Sequence, residues 1–123
     1  MTFPDKKFAD ISDYTDAYFI KCKEAAESVD RKKVEKACRI LLETYNNSKT
    51  LYVCGNGGSA SISNHLACDH GKLLATGTSL LPKIQSLVTN VEVLTAIAND
   101  ISYDEIFVHQ LKLLGSPGDV VMT

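Results

Sequence analysis

The sequence reads as an α/β domain: a parallel sheet with helices on both faces, led by a helical hairpin. Short apolar segments bounded by turn residues alternate with longer stretches whose apolar residues recur every three or four positions. The apolar segments lie too far apart for hairpins and at the spacing that parallel crossovers need. With 123 residues, 45% of them hydrophobic, the chain can bury one core without metal or disulfide staples.

The elements follow in order. Phe8, Ile11, Tyr14, Tyr18, Cys22, Ala25 and Val29 mark a first helix with one buried stripe. Asp30 is placed to cap a second, whose apolar positions from Val34 to Tyr45 keep the same period until Asn46-Asn47-Ser48. Together they form a hairpin over residues 1–48, with the α/β part over 49–123. Thr50-Leu51-Tyr52-Val53-Cys54 is rich in β-formers and apolar without alternation, as expected of a central strand covered on both faces. A helix from Gly58 to about Leu74, a strand over Lys83–Val88, a short helix over Val91–Ala98, a helix over Tyr103–Leu114 and a third strand over Asp119–Met122 complete the pattern. Ligands of such sheets bind at the carboxyl ends of the strands. Here the third strand reaches the last residue, where a binding loop is expected to follow.

Composition excludes several classes of function. Lys and Arg total 13 against 15 Asp and Glu, and no segment concentrates positive charge, so nucleic acid is not an expected partner. No stretch approaches the roughly 18 apolar residues of a membrane span, and the first residues lack a secretory h-region. A cytoplasmic protein is expected. Cys22, Cys38, Cys54 and Cys68 have no C-x-x-C pairing and read as buried free thiols.

The loop after the first strand, Cys54-Gly55-Asn56-Gly57-Gly58-Ser59-Ala60, carries three glycines in four positions. Glycine permits backbone angles and close ligand approach that a Cβ would block, and free N–H groups at the following helix start suit an anion or a sugar oxygen. A turn that needs glycine for its geometry alone is the alternative. The same residues satisfy G-x-G-x-x-A, but no acidic residue stands between Asp69 and Glu92 to hold a ribose, which disfavours a nicotinamide cofactor. His65 and Asp69, four apart, share one helix face; they could hold a divalent metal, transfer a proton, or be an ordinary surface contact. His70 is turned away from that face. Asn99-Asp100 could cap the next helix or reach a substrate hydroxyl.

The glycine loop, His65 six residues after its serine, Leu94-Thr95-Ala96-Ile97-Ala98-Asn99-Asp100, Tyr103-Asp104-Glu105-Ile106-Phe107 and Gly115-x-x-Gly118-Asp119-Val120-Val121 occur in this order. The combination resembles the SIS-domain phosphosugar isomerases, and among them the phosphoheptose isomerase branch, from about Thr50 to Thr123. The resemblance implies a flavodoxin-like three-layer fold and a homotetramer. It also implies exchange of sedoheptulose 7-phosphate with an aldoheptose phosphate, a step toward lipopolysaccharide-type heptose precursors, with zinc bound in many members. It assigns Asn56, Gly57, Gly58 and Ser59 to the substrate, His65 to the metal, Asp69 to metal and proton transfer, and Asn99 with Asp100 to the sugar. Asp69 stands where the family carries glutamate, one methylene longer. Either the helix sits closer to the substrate or this carboxylate no longer moves the proton. The resemblance further places a serine- and threonine-rich phosphate loop, and a glutamine and histidine that complete the metal site, beyond Thr123, so that the 123 residues by themselves are expected to be inactive. A non-catalytic SIS protein that binds a sugar phosphate or serves as a tetrameric scaffold is the competing expectation, since a fold can keep its pocket and lose its chemistry.

Overall fold

The computed structural model describes residues 3–123. Helices α1 (Ile11–Ser28) and α2 (Arg31–Asn46) precede β1 (Thr50–Val53) and α3 (Gly58–Cys68). A π-helical segment (Asp69–Leu74) and the single turn α4 (Ala75–Gly77) prolong α3. Then come β2 (Lys83–Ser86), α5 (Val91–Asp100), a 3-10 turn (Tyr103–Glu105), α6 (Val108–Leu114) and β3 (Val120–Met122). The chain divides into two compact units, Met1–Ala37 and Cys38–Thr123, with the division inside α2. No helix among the described residues is long and apolar enough to cross a membrane.

In the first unit Asp10 caps α1, its carboxylate accepting from the Asp13 amide at 2.9 Å, and Asp30 accepts from the Lys32 amide at 2.9 Å at the start of α2. The capping expected of Asp30 is thus present. The burial expected of the first stripe is not. No residue of α1 is buried, and of the stripe Ile11, Tyr18 and Cys22 lie exposed. The reason is size: a unit this short has too little facing surface to cover an 18-residue helix. Its aromatic rings gather instead on one another, Phe3 against Tyr14 at 5.4 Å and Phe8 edge-on to Tyr14 at 5.5 Å between centroids. The cysteines also differ from expectation. Cys54, under the sheet, is buried, whereas Cys22, Cys38 and Cys68 are exposed on helix surfaces.

The second unit is built on a parallel sheet of order β2-β1-β3, so β1 is central as its unbroken apolarity predicts. The period of two sorts its side chains. Tyr52 and Cys54 face a cluster with Leu87, Val88, Leu94 and Phe107, placing α5 and α6 on that side. Leu51 and Val53 face Tyr45, Leu41, Leu66 and Leu74, placing the end of α2 and the α3 region on the other. These are the three layers expected. Two polar ties fix the edges. Tyr52 Oη donates to the Leu114 carbonyl at the end of α6 at 2.8 Å. Asp119 accepts from the Thr50 and Ser116 amides, each at 2.8 Å, joining the start of β1 to the turn before β3.

Helix boundaries shift where tertiary contacts take over carbonyls. The single helix expected over Tyr103–Leu114 is a 3-10 turn and a separate α6. Between them Ile106 is buried, and Gln110 Nε2 donates to the Ile106 and Leu87 carbonyls at 2.7 and 3.1 Å.

Because Leu51 is fully buried, Leu51→Ala is expected to lower unfolding free energy by about 2–5 kcal/mol, read by denaturant titration. The Thr50 amide, then the Ser116 amide, holds the Asp119 carboxyl below the ordinary carboxylate range. A depressed folded value contributes stability above the unfolded value, about 3.9, that is lost as pH falls through the depressed one. Melting curves of Asp119→Asn should therefore show a shallower acid limb than those of the parent.

Candidate functional site

The site begins where β1 ends. Each glycine of the following loop answers a different demand. A Cβ on Gly55 would lie 2.6 Å from Ser59 Cβ and 2.9 Å from the Ser59 carbonyl, so the close approach of α3 to the strand end requires glycine there. Gly57 has φ 56° and ψ −122°, a conformation that L side chains rarely adopt. Gly58 has neither constraint: its φ is negative and a Cβ would meet nothing within 4 Å. Geometry alone thus accounts for two of the three glycines. The Ser59 and Ala60 amides turn back onto the Asn56 and Gly57 carbonyls at 3.0 and 3.1 Å. Among the described residues no protein acceptor takes the Gly57 or Gly58 amide.

Two hollows of unit two flank this loop. One, of about 250 Å³, is lined by Gly55, Asn56 and Gly57 on one side and by Thr95, Ala98 and Tyr103 on the other. A second, of about 210 Å³, lies against Ser59, Ser63 and Met122. Burial pushes the Cys54 thiol up at the strand end, keeping it protonated and a poor nucleophile.

His65 and Asp69 project together from the helix that the loop starts. Their Nε2 and Oδ2 atoms are 3.4 Å apart, long for a hydrogen bond, with the imidazole 78% exposed and the carboxylate 40%. Tetrahedral zinc with bonds of about 2.0–2.1 Å sets adjacent ligand atoms roughly 3.3–3.4 Å apart. The pair fits two corners of such a shell. Among the described residues no third His, Cys, Asp or Glu joins it.

The family model of the SIS domain matches residues 13–123. The chain belongs to the SIS domain family. It is 38% identical over 103 residues to a phosphoheptose isomerase of Alteromonas mediterranea, covering 84% of this chain and 52% of that one. A phosphoheptose isomerase of Aliarcobacter butzleri is 40% identical over 89 residues, covering 72% and 47%. The solved structure of a phosphoheptose isomerase from Neisseria gonorrhoeae superposes with a TM-score of 0.76 at 31% identity, covering 91% of this chain and 59% of that one. The chain spans about half the length of the curated relatives it matches.

Within this SIS domain, Asn56 and Gly57 line the larger hollow and Ser59 the smaller. His65 and Asp69 meet each other but line neither. Asn99 and Asp100 lie exposed in the last turn of α5, where Asn99 Nδ2 donates to Asp100 Oδ1 at 2.7 Å. They cap no helix: Asn90 caps α5, accepting from the Val93 amide at 2.9 Å, and Ser102 precedes the 3-10 turn. Thr95 and Tyr103 border the hollow; the sequence placed them only inside the blocks that carry the resemblance, and the folding of α5 and the 3-10 turn beside the loop brings them to it.

Gly55→Ala should destabilise the domain by about 1–3 kcal/mol through overpacking. Gly58→Ala, at an unencumbered first helical position, should leave melting unchanged or raise it, worth about 0.5–1 kcal/mol. Thermal melts of the two variants side by side check both.

Proposed function

We propose that this SIS domain is the proximal half of a cytoplasmic, homotetrameric phosphosugar isomerase that interconverts sedoheptulose 7-phosphate and an aldoheptose 7-phosphate. The observation that carries the reading is Gly58, a glycine the fold does not require, in the loop after the central strand and about two helical turns before His65. The absence of a Cβ there leaves the loop amides open to a ligand oxygen.

In ketose–aldose exchange a proton leaves the carbon beside the carbonyl and returns to the former carbonyl carbon, while the hydroxyl proton of the first carbon passes to the former carbonyl oxygen. Asp69 is the base that takes and returns the carbon-bound proton. The Gly57 and Gly58 amides and the Asn56 and Ser59 side chains hold sugar oxygens, and Asn99 and Asp100 reach hydroxyls once they release each other. His65 and Asp69 would hold zinc, which when bound supplies Lewis acidity at the carbonyl oxygen. The remaining ligands and the phosphate-binding loop come from sequence outside these 123 residues, which by themselves do not turn over.

The exposure of His65, and the position of the pair outside both hollows, favours a second reading: a sugar-phosphate-binding or scaffold protein without catalysis. One experiment separates the two. In the protein as its gene encodes it, Asp69→Asn should lower kcat for sedoheptulose 7-phosphate by about 10²–10⁴-fold. Unchanged turnover removes Asp69 from the chemistry, and a parent protein that binds the sugar phosphate without converting it supports the second reading.

A further inference from the structure

The residues on either side of the His65–Asp69 pair are each tied to a buried hydroxyl. Asn64, immediately before His65, accepts at Oδ1 from Ser86 Oγ at 2.7 Å. Ser86 is buried at the end of β2, paired with Val53 of the central strand. His70, immediately after Asp69, is hydrogen-bonded through Nδ1 to Tyr45 Oη. Tyr45 is buried near the end of α2 against Leu51 and Val53, and its ring meets the imidazole edge-on. Both ties therefore run from the helix to the most deeply packed part of the unit.

The helix between the ties is not uniform. It is α-helical to Cys68 and π-helical from Asp69, where the extra residue per turn rotates later side chains and weakens the local ladder. The Asp69 amide still donates to the His65 carbonyl, so the carboxylate sits at the last α-type bond, and its bearing on the imidazole depends on how firmly the π-helical turn that follows is held. Phenylalanine at position 45 and alanine at 86 would fill the same space. The hydroxyls add the two bonds that end beside the pair, and Ser86 Oγ also accepts from the Val88 amide at 3.4 Å.

We infer that Tyr45 and Ser86 are positioning residues, clamping the α-to-π junction through His70 and Asn64 so that the His65 imidazole and the Asp69 carboxylate converge on one ion or one substrate. What the pair then does rests on the isomerase reading; the clamp itself does not.

The test uses Tyr45→Phe, Ser86→Ala, Asp69→Asn and the Tyr45→Phe/Asp69→Asn double variant of the gene-encoded protein. Zinc affinity is measured by chelator competition, turnover of sedoheptulose 7-phosphate by steady-state kinetics, and junction order by amide hydrogen exchange. Each clamp variant should weaken zinc and lower kcat by about tenfold, the range of outer-shell partners, with KM nearly unchanged. Adding Tyr45→Phe to Asp69→Asn should cost nothing further, because the group being positioned is gone. Exchange over residues 69–74 should quicken in Tyr45→Phe while β1 stays protected. Zinc affinity and exchange both at parent values, or losses that add in full to those of Asp69→Asn, overturn the clamp. A parent without turnover whose zinc affinity still falls in Tyr45→Phe sinks the isomerase reading and leaves the clamp standing. In a parent that binds no zinc, the exchange result decides.

Discussion

Strand β1 is bonded on both edges and covered on both faces, and the other features of unit two take their position from it. Its parallel partners fix the register at Leu51 opposite Ile84 and Val120. Its alternating side chains divide the core into two clusters, so no residue of the strand can change face without emptying one and overfilling the other. A strand held this firmly delivers its carboxyl end to one place. The glycine loop departs from there, and the two constrained glycines carry that precision into α3.

Helix α3 and its π-helical extension then separate two tasks by face. Leu66, Ala67 and Leu74 pack inward against Leu51 and Val53, while His65 and Asp69 project outward. The His70 and Asn64 side chains stand at the border, and their bonds to Tyr45 and Ser86 make the rotation of the helix a matter of polar geometry as well as apolar packing. Burial lowers the His70 pKa against the opposing pull of Asp69, and raises that of Tyr45, so the pair is a neutral one that suits the interior.

The first unit behaves differently because nothing in it plays the part of β1. Its helices are capped and periodic, so local structure forms, yet their apolar residues remain at the surface. Periodicity registers that a helix has an apolar side; it does not say what covers it. The exposed Cys22 follows from the same gap between amphipathic pattern and available partner.

The sequence by itself determined the features encoded locally: strand β1 from unbroken apolarity, the cap at Asp30 from a short polar side chain, the loop from its glycines, and the shared face of His65 and Asp69 from helical spacing. Tertiary structure alone decided what depends on distant atoms. The break before α6 follows from Gln110 reaching the Ile106 and Leu87 carbonyls, and the demand for glycine at 55 but not at 58 follows from how closely α3 returns to the strand. The ties of Tyr45 to His70 and of Ser86 to Asn64 join residues 25 and 22 positions apart, a separation at which no periodicity survives and only packing selects the partner.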